Sequence, residues 1–442
     1  MLKISGSLIF LLLLFTCFTV EAKEKLTLKE AINLTLKNNL SLNSEKDLLQ
    51  KAVFEQTSKE QEWLPNLSLN MNYYYINKKA AIVIPAPISQ SFNLGDNNNF
   101  NNNLNLNYVI YNFAKEPSIQ IKRLQKAAQT FNINQKAKSL SLQTITLYKS
   151  LETCYLQQMI LIKGKEKLQN ELLKIDSLIR NGAILPVEAL TIKIAIANFD
   201  QYLLDIENKI KFVKDQMFLL TNERFEIQVN PIIIKLDLTN KELTKDYTLA
   251  SLDLANNERI KILTLQKEIL ENQKQVILAQ NYPAFGFNSS FNYSKPGVDP
   301  IKNNWMDYFT VGVGLKWQLF DWGSVQNQAQ AEDKAIDSLN KEIALLINNV
   351  NNEYQNKVRE YDLLKNQLTV AKKVVDLTEE KIKLFDAQLK NGAISITDFR
   401  DTMFELTQNK LNYFQDYINL SLKSIEVDYL SGLPIEKWRL EE

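Results

Sequence analysis

The stretch that decides the fold is LKWQLFDWGS, Leu315 to Ser324. It opens as an alternating strand and closes on Trp322–Gly323. Beyond it run 68 residues, Ser324 to Asn391, without a glycine or a proline. A short strand therefore feeds one very long helix, of about 100 Å at 1.5 Å per residue. A degraded copy, LNYVIYNFAK (Leu106 to Lys115), stands 209 positions earlier and also precedes a long helical stretch, Glu116 to Arg180.

The two copies belong to a duplication. Asn38-Asn39 matches Asn256-Asn257 and Leu64-Pro65 matches Tyr282-Pro283, both at offset 218. Asn181-Gly182-Ala183-Ile184 matches Asn391-Gly392-Ala393-Ile394 at offset 210. The change of offset falls between Pro65 and Leu106, so the first copy holds one longer loop. The reading is a first repeat over 23–230 with a hairpin at 64–113, and a second over 231–442 with a hairpin at 282–321. Each runs helix, strand, loop, strand, long helix, tip, helix; the first helix is read over Thr27 to Gln61, and the first copy's second strand from Leu104, with Leu106, Tyr108 and Ile110 alternating with Asn105 and Asn107.

The strands alternate. Leu67, Leu69, Met71, Tyr73 and Tyr75 share one face, against Ser68, Asn70 and Asn72. Phe309, Val311, Val313, Leu315, Trp317 and Leu319 face away from Thr310, Gly312, Gly314, Lys316 and Gln318. Strands of about ten residues, bulky and apolar on one side and polar on the other, have the pattern of a transmembrane β-barrel. Trp63 with Tyr75, and Trp305 with Trp317, bracket them at a spacing of about 30 Å once tilted. A hairpin on a soluble core is the competing reading. Four strands close no useful barrel, and lipid forbids open sheet edges. Three copies would supply twelve strands and a lumen. On the second long helix an apolar seam runs through Ile336, Leu339, Ile343, Leu346 and Val350, shifts register, and resumes at Tyr361, Leu364, Leu368, Ala371, Val375, Ile382, Phe385 and Leu389, as in helices packed side by side.

Composition excludes several classes. There is no histidine, which removes His-based triads, bases and metal ligands. The net charge of +1 argues against a nucleic-acid binder. No phosphate loop or metal-ligand spacing is present, so no enzyme, cofactor or metal site is expected. Cys17 and Cys154 are the two cysteines. Residues 1–22 read as a cleaved export signal, with a 13-residue apolar stretch from Leu8 to Val20 ahead of Val20-Glu21-Ala22. A membrane anchor, or acylation of Cys17 within LFTC, are weaker readings of the same residues. Cys154 reads as a small core residue.

The segments LTLKEAINLTLKNNLSL, WLPNLSLN, LKWQLFDWG, NGAISITDFRD and VDYLSGLP, in this order, resemble the outer membrane efflux protein family, the TolC-like channels. The resemblance implies a trimer whose twelve-stranded β-barrel lies in the outer membrane and continues into a long α-helical barrel crossing the periplasm. It implies a passive exit duct of a tripartite efflux pump or a type I secretion system. The partners would be a periplasmic adaptor, an inner membrane pump and outer membrane lipid. It places an acidic periplasmic gate at Asp398 and Asp401, with Glu188 as the first-copy equivalent. Adaptor contacts would fall at the tips, Gly182 with Leu185 and Gly392 with Ile394. Where the family often has a latching Arg, this sequence has Ile394; Arg180 and Arg400 are alternative latch residues. The bland reading of the acids is complementation of a helix dipole. The competing function is a periplasmic or surface coiled-coil protein without channel activity.

Overall fold

A computed structural model describes residues 25–182, 185–227, 252–299, 301–390 and 394–438. The export signal, Cys17, Gly392 and the boundary between residues 230 and 231 lie outside the described residues.

The order of elements repeats. Helices α1 (Leu28–Asn38) and α2 (Leu40–Gln61) lead to strand β2 (Asn66–Tyr75), strand β5 (Asn98–Tyr111), helix α3 (Lys115–Arg180) and helix α4 (Pro186–Thr221). Then α5 (Glu258–Leu278) leads to β7 (Ala284–Lys295), β8 (Met306–Lys316), α6 (Ser324–Lys390) and α7 (Ile396–Leu430). Two minor strands, β1 (Lys25–Leu26) and β6 (Glu226–Ile227), pair in parallel. The alternating segments and the long helices thus form as their periodicity requires.

The chain divides into two compact units that cut across the repeats. One comprises residues 44–133 and 258–348. It holds a four-stranded antiparallel sheet in the order β2-β5-β7-β8. Its helices are joined by ion pairs such as Lys122 with Glu55 at 2.9 Å and Lys274 with Asp333 at 2.6 Å.

The other unit comprises residues 1–43, 134–257 and 349–442, of which the described part is helical apart from β1 and β6. Its main apolar core gathers Ile145, Leu168, Ile192, Phe199, Phe399 and Ile425 from α3, α4 and α7. Gly164 sits where these helices approach closely: a Cβ there would lie 2.7 Å from the Phe199 ring and 3.3 Å from Thr407 Oγ1. Tyr361, Leu368 and Val375 of the α6 seam pack with Tyr413, Tyr417 and Ile418 of α7.

Three local expectations are corrected. The helix expected over residues 27–61 breaks at Asn39, whose side-chain oxygen accepts from the Ser41 and Leu42 amides. The first-copy loop is not wholly loop. It carries a hairpin, β3 (Ala80–Ile84) on β4 (Gln90–Leu94), and β5 starts at Asn98, six residues before the alternation of Leu104 is evident. Strand β8 ends at Lys316, short of Leu319, because its one partner, β7, begins at Ala284, which pairs with Lys316. The register shift in the α6 seam is filled by Tyr354, which is buried. The step from Val350 through Tyr354 to Tyr361 is eleven residues, one heptad plus an insertion of four, a stutter that locally unwinds the supercoil.

Candidate membrane-facing sheet and helix-tip sites

The strand-to-helix junction is built by Asp321. Its carboxylate accepts from the Gly323 amide at 2.9 Å and the Val325 amide at 2.7 Å, satisfying donors at the start of α6. Trp322 and Gly323 adopt φ of 60° and 77°, in the left-handed region, which turns the chain from strand to helix. In the first copy Asn112 takes the part of Asp321, accepting from the Ala114 amide at 2.8 Å.

The register of the sheet assigns its faces. Leu67 pairs with Leu106, Leu69 with Leu104, Leu104 with Phe291, and Phe291 with Phe309. This face is exposed in the single chain: Leu67 is 64 %, Phe309 76 % and Val313 72 % accessible. Aromatic bands cross it at both ends. At one end Tyr73, Phe100, Trp305 and Tyr293 stack in series, with centroids 4.9, 5.4 and 4.7 Å apart. At the other, Phe113 lies between Tyr111 and Tyr282 at 5.0 and 4.3 Å. Phe100 and Tyr111 are eleven residues apart on β5, which at about 3.3 Å per residue and a tilt near 40° is roughly 28 Å, the thickness of a bilayer's hydrocarbon. Trp305 belongs to the first band as its spacing implies. Trp63 is half-buried instead, with its indole nitrogen enclosed.

The opposite face is different in kind. Along the paired rows, Asn66 meets Asn107, which meets Asn288, which meets Gly312. The next rows read Ser68, Asn105, Ser290, Thr310, then Asn70, Asn103, Asn292, Tyr308, then Asn72, Asn101, Ser294, Met306. Of these sixteen positions nine are Asn, four are Ser or Thr, and none is charged. Among the described residues no helix is long and apolar enough to cross a membrane, a statement that does not bear on strands.

The tips lie in the helical unit. Leu185 is the N-cap residue of α4 and Ser395 that of α7, so Glu188 and Asp398 both fall at the third helical position. Ser395 and Asp398 form a capping box. Leu185, lacking a side-chain acceptor, forms none, and it is 70 % exposed. Asp401 is held by its neighbour Arg400, whose Nε and Nη2 donate to Oδ1 at 2.8 and 2.6 Å. Asp398 and Asp401 are exposed and Glu188 is partly so. Gly182 takes φ 70° at the end of α3, as a helix C-terminal glycine does. The two apolar turns, Leu185 to Val187 and Ile394 to Ile396, differ from each other. Leu185 and Val187 are exposed, whereas Ile394 packs partly buried on the core and Ile396 is buried, because Ser395 turns α7 inward at once. Cys154 is buried in α3, and desolvation pushes its thiol pKa up. Among the described residues no group of three or more His, Cys, Asp or Glu side chains is placed to hold a metal.

Residues 249–426 match the family model described as outer membrane efflux protein, in agreement with the resemblance carried by the motifs. Solved structures match more than nine tenths of the chain. The CusC channel superposes with a TM-score of 0.76 at 12 % identity, covering 93 % of each chain. The Campylobacter jejuni CmeC outer membrane channel gives 0.72 at 14 %, over 94 % of this chain and 87 % of its own. The Vibrio cholerae outer membrane protein VceC gives 0.71 at 15 %, over 92 % and 96 %. At these identities the likeness establishes the fold. No curated protein sequence matches the chain.

Proposed function

We propose that this chain is one of three subunits of an outer-membrane exit duct serving a tripartite efflux pump or a type I secretion system. The observation that carries the reading is the sheet: a bulky apolar face between two aromatic bands, a carboxamide face behind it, and two unpaired edges, β2 and β8. Exposed apolar surface of this extent is unfavourable in water by about 25 cal/mol per Å² and is at home in lipid. Lipid, however, cannot satisfy the free backbone groups of the two edges. All three strand pairs are antiparallel, so β2 and β8 run in opposite directions. The β8 edge of one copy therefore meets the β2 edge of the next in antiparallel fashion. Two copies would give eight strands, filled by side chains; three give twelve and a lumen.

In this reading α3, α4, α6 and α7 of three copies build a helical barrel in the periplasm. The exposed Leu185 and Val187 offer an apolar contact for a periplasmic adaptor, which in turn joins an inner membrane pump. Asp398 and Asp401, one turn apart, and Glu188 from the first repeat line the periplasmic mouth as an acidic gate. The duct is passive and performs no chemistry.

The test is mass measurement of the detergent-solubilised protein together with flotation on membranes. A trimer that floats and shifts on heating is expected. A stable monomer, or recovery as a soluble periplasmic protein, overturns the duct and favours the coiled-coil alternative.

A further inference from the structure

We infer that the carboxamide face of the sheet is a binding track for neutral polyhydroxylated chains, that is, oligosaccharides or the sugar portion of a glycoconjugate. The inference rests on the duct reading, which makes this face the wall of a lumen.

Three observations carry it. First, β5 places Asn at five successive positions of this face, Asn99 to Asn107; Asn101 to Asn107 are accessible there, in register with Asn70 and Asn72 on one side and Asn288 on the other, while Asn99 and Asn292 are buried and bonded within the chain. A carboxamide offers two donors and an acceptor with two lone pairs in one plane. Vicinal hydroxyls, each both donor and acceptor, match that set without leaving a group unpaired. Second, the four central rows hold no charge. A charged cargo would find no counter-ion in these rows, and a peptide would leave its ionised side chains unmatched there. A sugar chain has nothing to neutralise. Third, two tyrosines stand on the same face toward one end: Tyr74 opposite Asn99, and Tyr308 opposite Asn292. The Asn101 amide donates to the Tyr74 hydroxyl at 3.4 Å. An aromatic ring has an apolar face with a polar handle, suited to the C–H face of a pyranose. In adjacent strands the carboxamides repeat about every 4.8 Å and along a strand about every 6.7 Å, so an extended chain keeps several contacts at once while it moves. The contacts are shared with water and individually weak, as a conduit needs if it is to release what it binds.

The experiment uses the trimer in planar bilayers, with maltoheptaose added on the side of the strand loops and polyethylene glycol of equal mass as the control. Maltoheptaose should lower the mean current and raise its noise at concentrations where the glycol does neither. Asn103→Thr with Asn105→Thr keeps strand-forming residues on the wall but removes two carboxamides, and should weaken the block about tenfold. Asn102→Thr, on the opposite face, should leave the block unchanged. Equal effects of sugar and glycol, or block by an uncharged peptide but not by maltoheptaose, overturn the track while leaving the duct intact. Absence of any conductance from reconstituted trimers overturns the lumen itself, and the track with it. A folded Thr pair, judged by the heat-modifiable trimer, with undiminished sugar block also overturns the assignment.

Discussion

Asp398 and Ser395 cap each other at the start of α7. The Asp398 amide donates to Ser395 Oγ at 3.0 Å, and that hydroxyl donates back to Asp398 Oδ2 at 2.7 Å. The carboxylate therefore has a structural task whether or not it also lines a pore. Asp398→Asn separates the two, since a carboxamide oxygen still accepts but carries no charge. Asp398→Ala should lower stability by about 0.3–1 kcal/mol and Asp398→Asn by less. If the acid belongs to a gate, both should reduce cation preference equally, read as the reversal potential in a salt gradient. Loss of stability in Ala with no change of potential in either variant leaves Asp398 a cap alone.

Asp401 differs, because its charge is offset within the same chain by Arg400. Arg400→Gln removes the guanidinium and leaves the carboxylate free. Cation preference of the channel should rise, and block by trivalent cations should strengthen. The pair is exposed, so stability should change by less than about 1 kcal/mol. A fall in cation preference would show that Asp401 does not face the conducting path.

Leu185 occupies in α4 the place that Ser395 occupies in α7, yet it caps nothing and is exposed. An apolar N-cap is unfavourable by about 1 kcal/mol relative to Ser. Leu185→Ser should therefore stabilise the helical unit by that amount in denaturant unfolding. Under the adaptor reading it should also weaken binding of the partner adaptor. Stabilisation with adaptor affinity unchanged would remove Leu185 from the contact.

Much of this architecture was legible because it depends on periodicity. The alternation of Leu67 to Tyr75 and of Phe309 to Leu315, and the seam from Ile336 to Ile382, each report which side of an element is covered. What escaped depends on partners distant in sequence. The hairpin Ala80–Ile84 with Gln90–Leu94 lies in a proline-rich stretch whose pairing no period announces. The inward turn of Ile394 follows from the Ser395 cap, and Ser-x-x-Asp is a capping signature that could have been read. Tyr354 was hidden because it falls in the stutter, off the heptad. The Arg400–Asp401 pair depends on rotamers, which sequence does not give.

Between α6 and α7, Lys357 and Lys423 interleave with Glu360 and Glu426. Lys357 lies 3.0 Å from Glu426, and Lys423 lies 2.7 Å from Glu360 and 2.8 Å from Glu426. The hydrogen bond from Lys423 holds the Glu360 carboxyl below its ordinary pKa of 4.5. Burial pulls the Lys357 ammonium down more than any single partner raises it, but its hydrogen bond to Glu426 and the charges of Glu426 and Glu360 together outweigh burial and leave its pKa raised. A depressed carboxyl stabilises fully above its ordinary value and loses that contribution as pH falls through the lower, folded one. A raised ammonium stabilises fully below its ordinary value and loses the contribution as pH rises through the higher one. The network should therefore hold its full strength from about pH 5 to pH 10 and weaken on either side. Glu360→Gln should flatten the acid limb of melting temperature against pH. An identical acid limb in that variant would assign it to other carboxyls.

The sharpest division between a membrane sheet and a soluble one comes from Val311 and Thr310, neighbours on β8 that face opposite ways. Val311 pairs with Ser289 on the aromatic-banded face, and Thr310 with Ser290 on the carboxamide face. Both are exposed in the single chain. In water, Lys at Val311 replaces an exposed apolar side chain and would be neutral or helpful to solubility. In lipid, a Lys near the midplane of a barrel strand is unfavourable by about 2–4 kcal/mol, whereas the same residue on the lumen side is tolerated. Val311→Lys should therefore reduce the yield of heat-modifiable trimer and its refolding into vesicles, while Thr310→Lys assembles normally and moves the reversal potential toward anions. If Val311→Lys assembles as well as the parent chain, the banded face does not meet lipid.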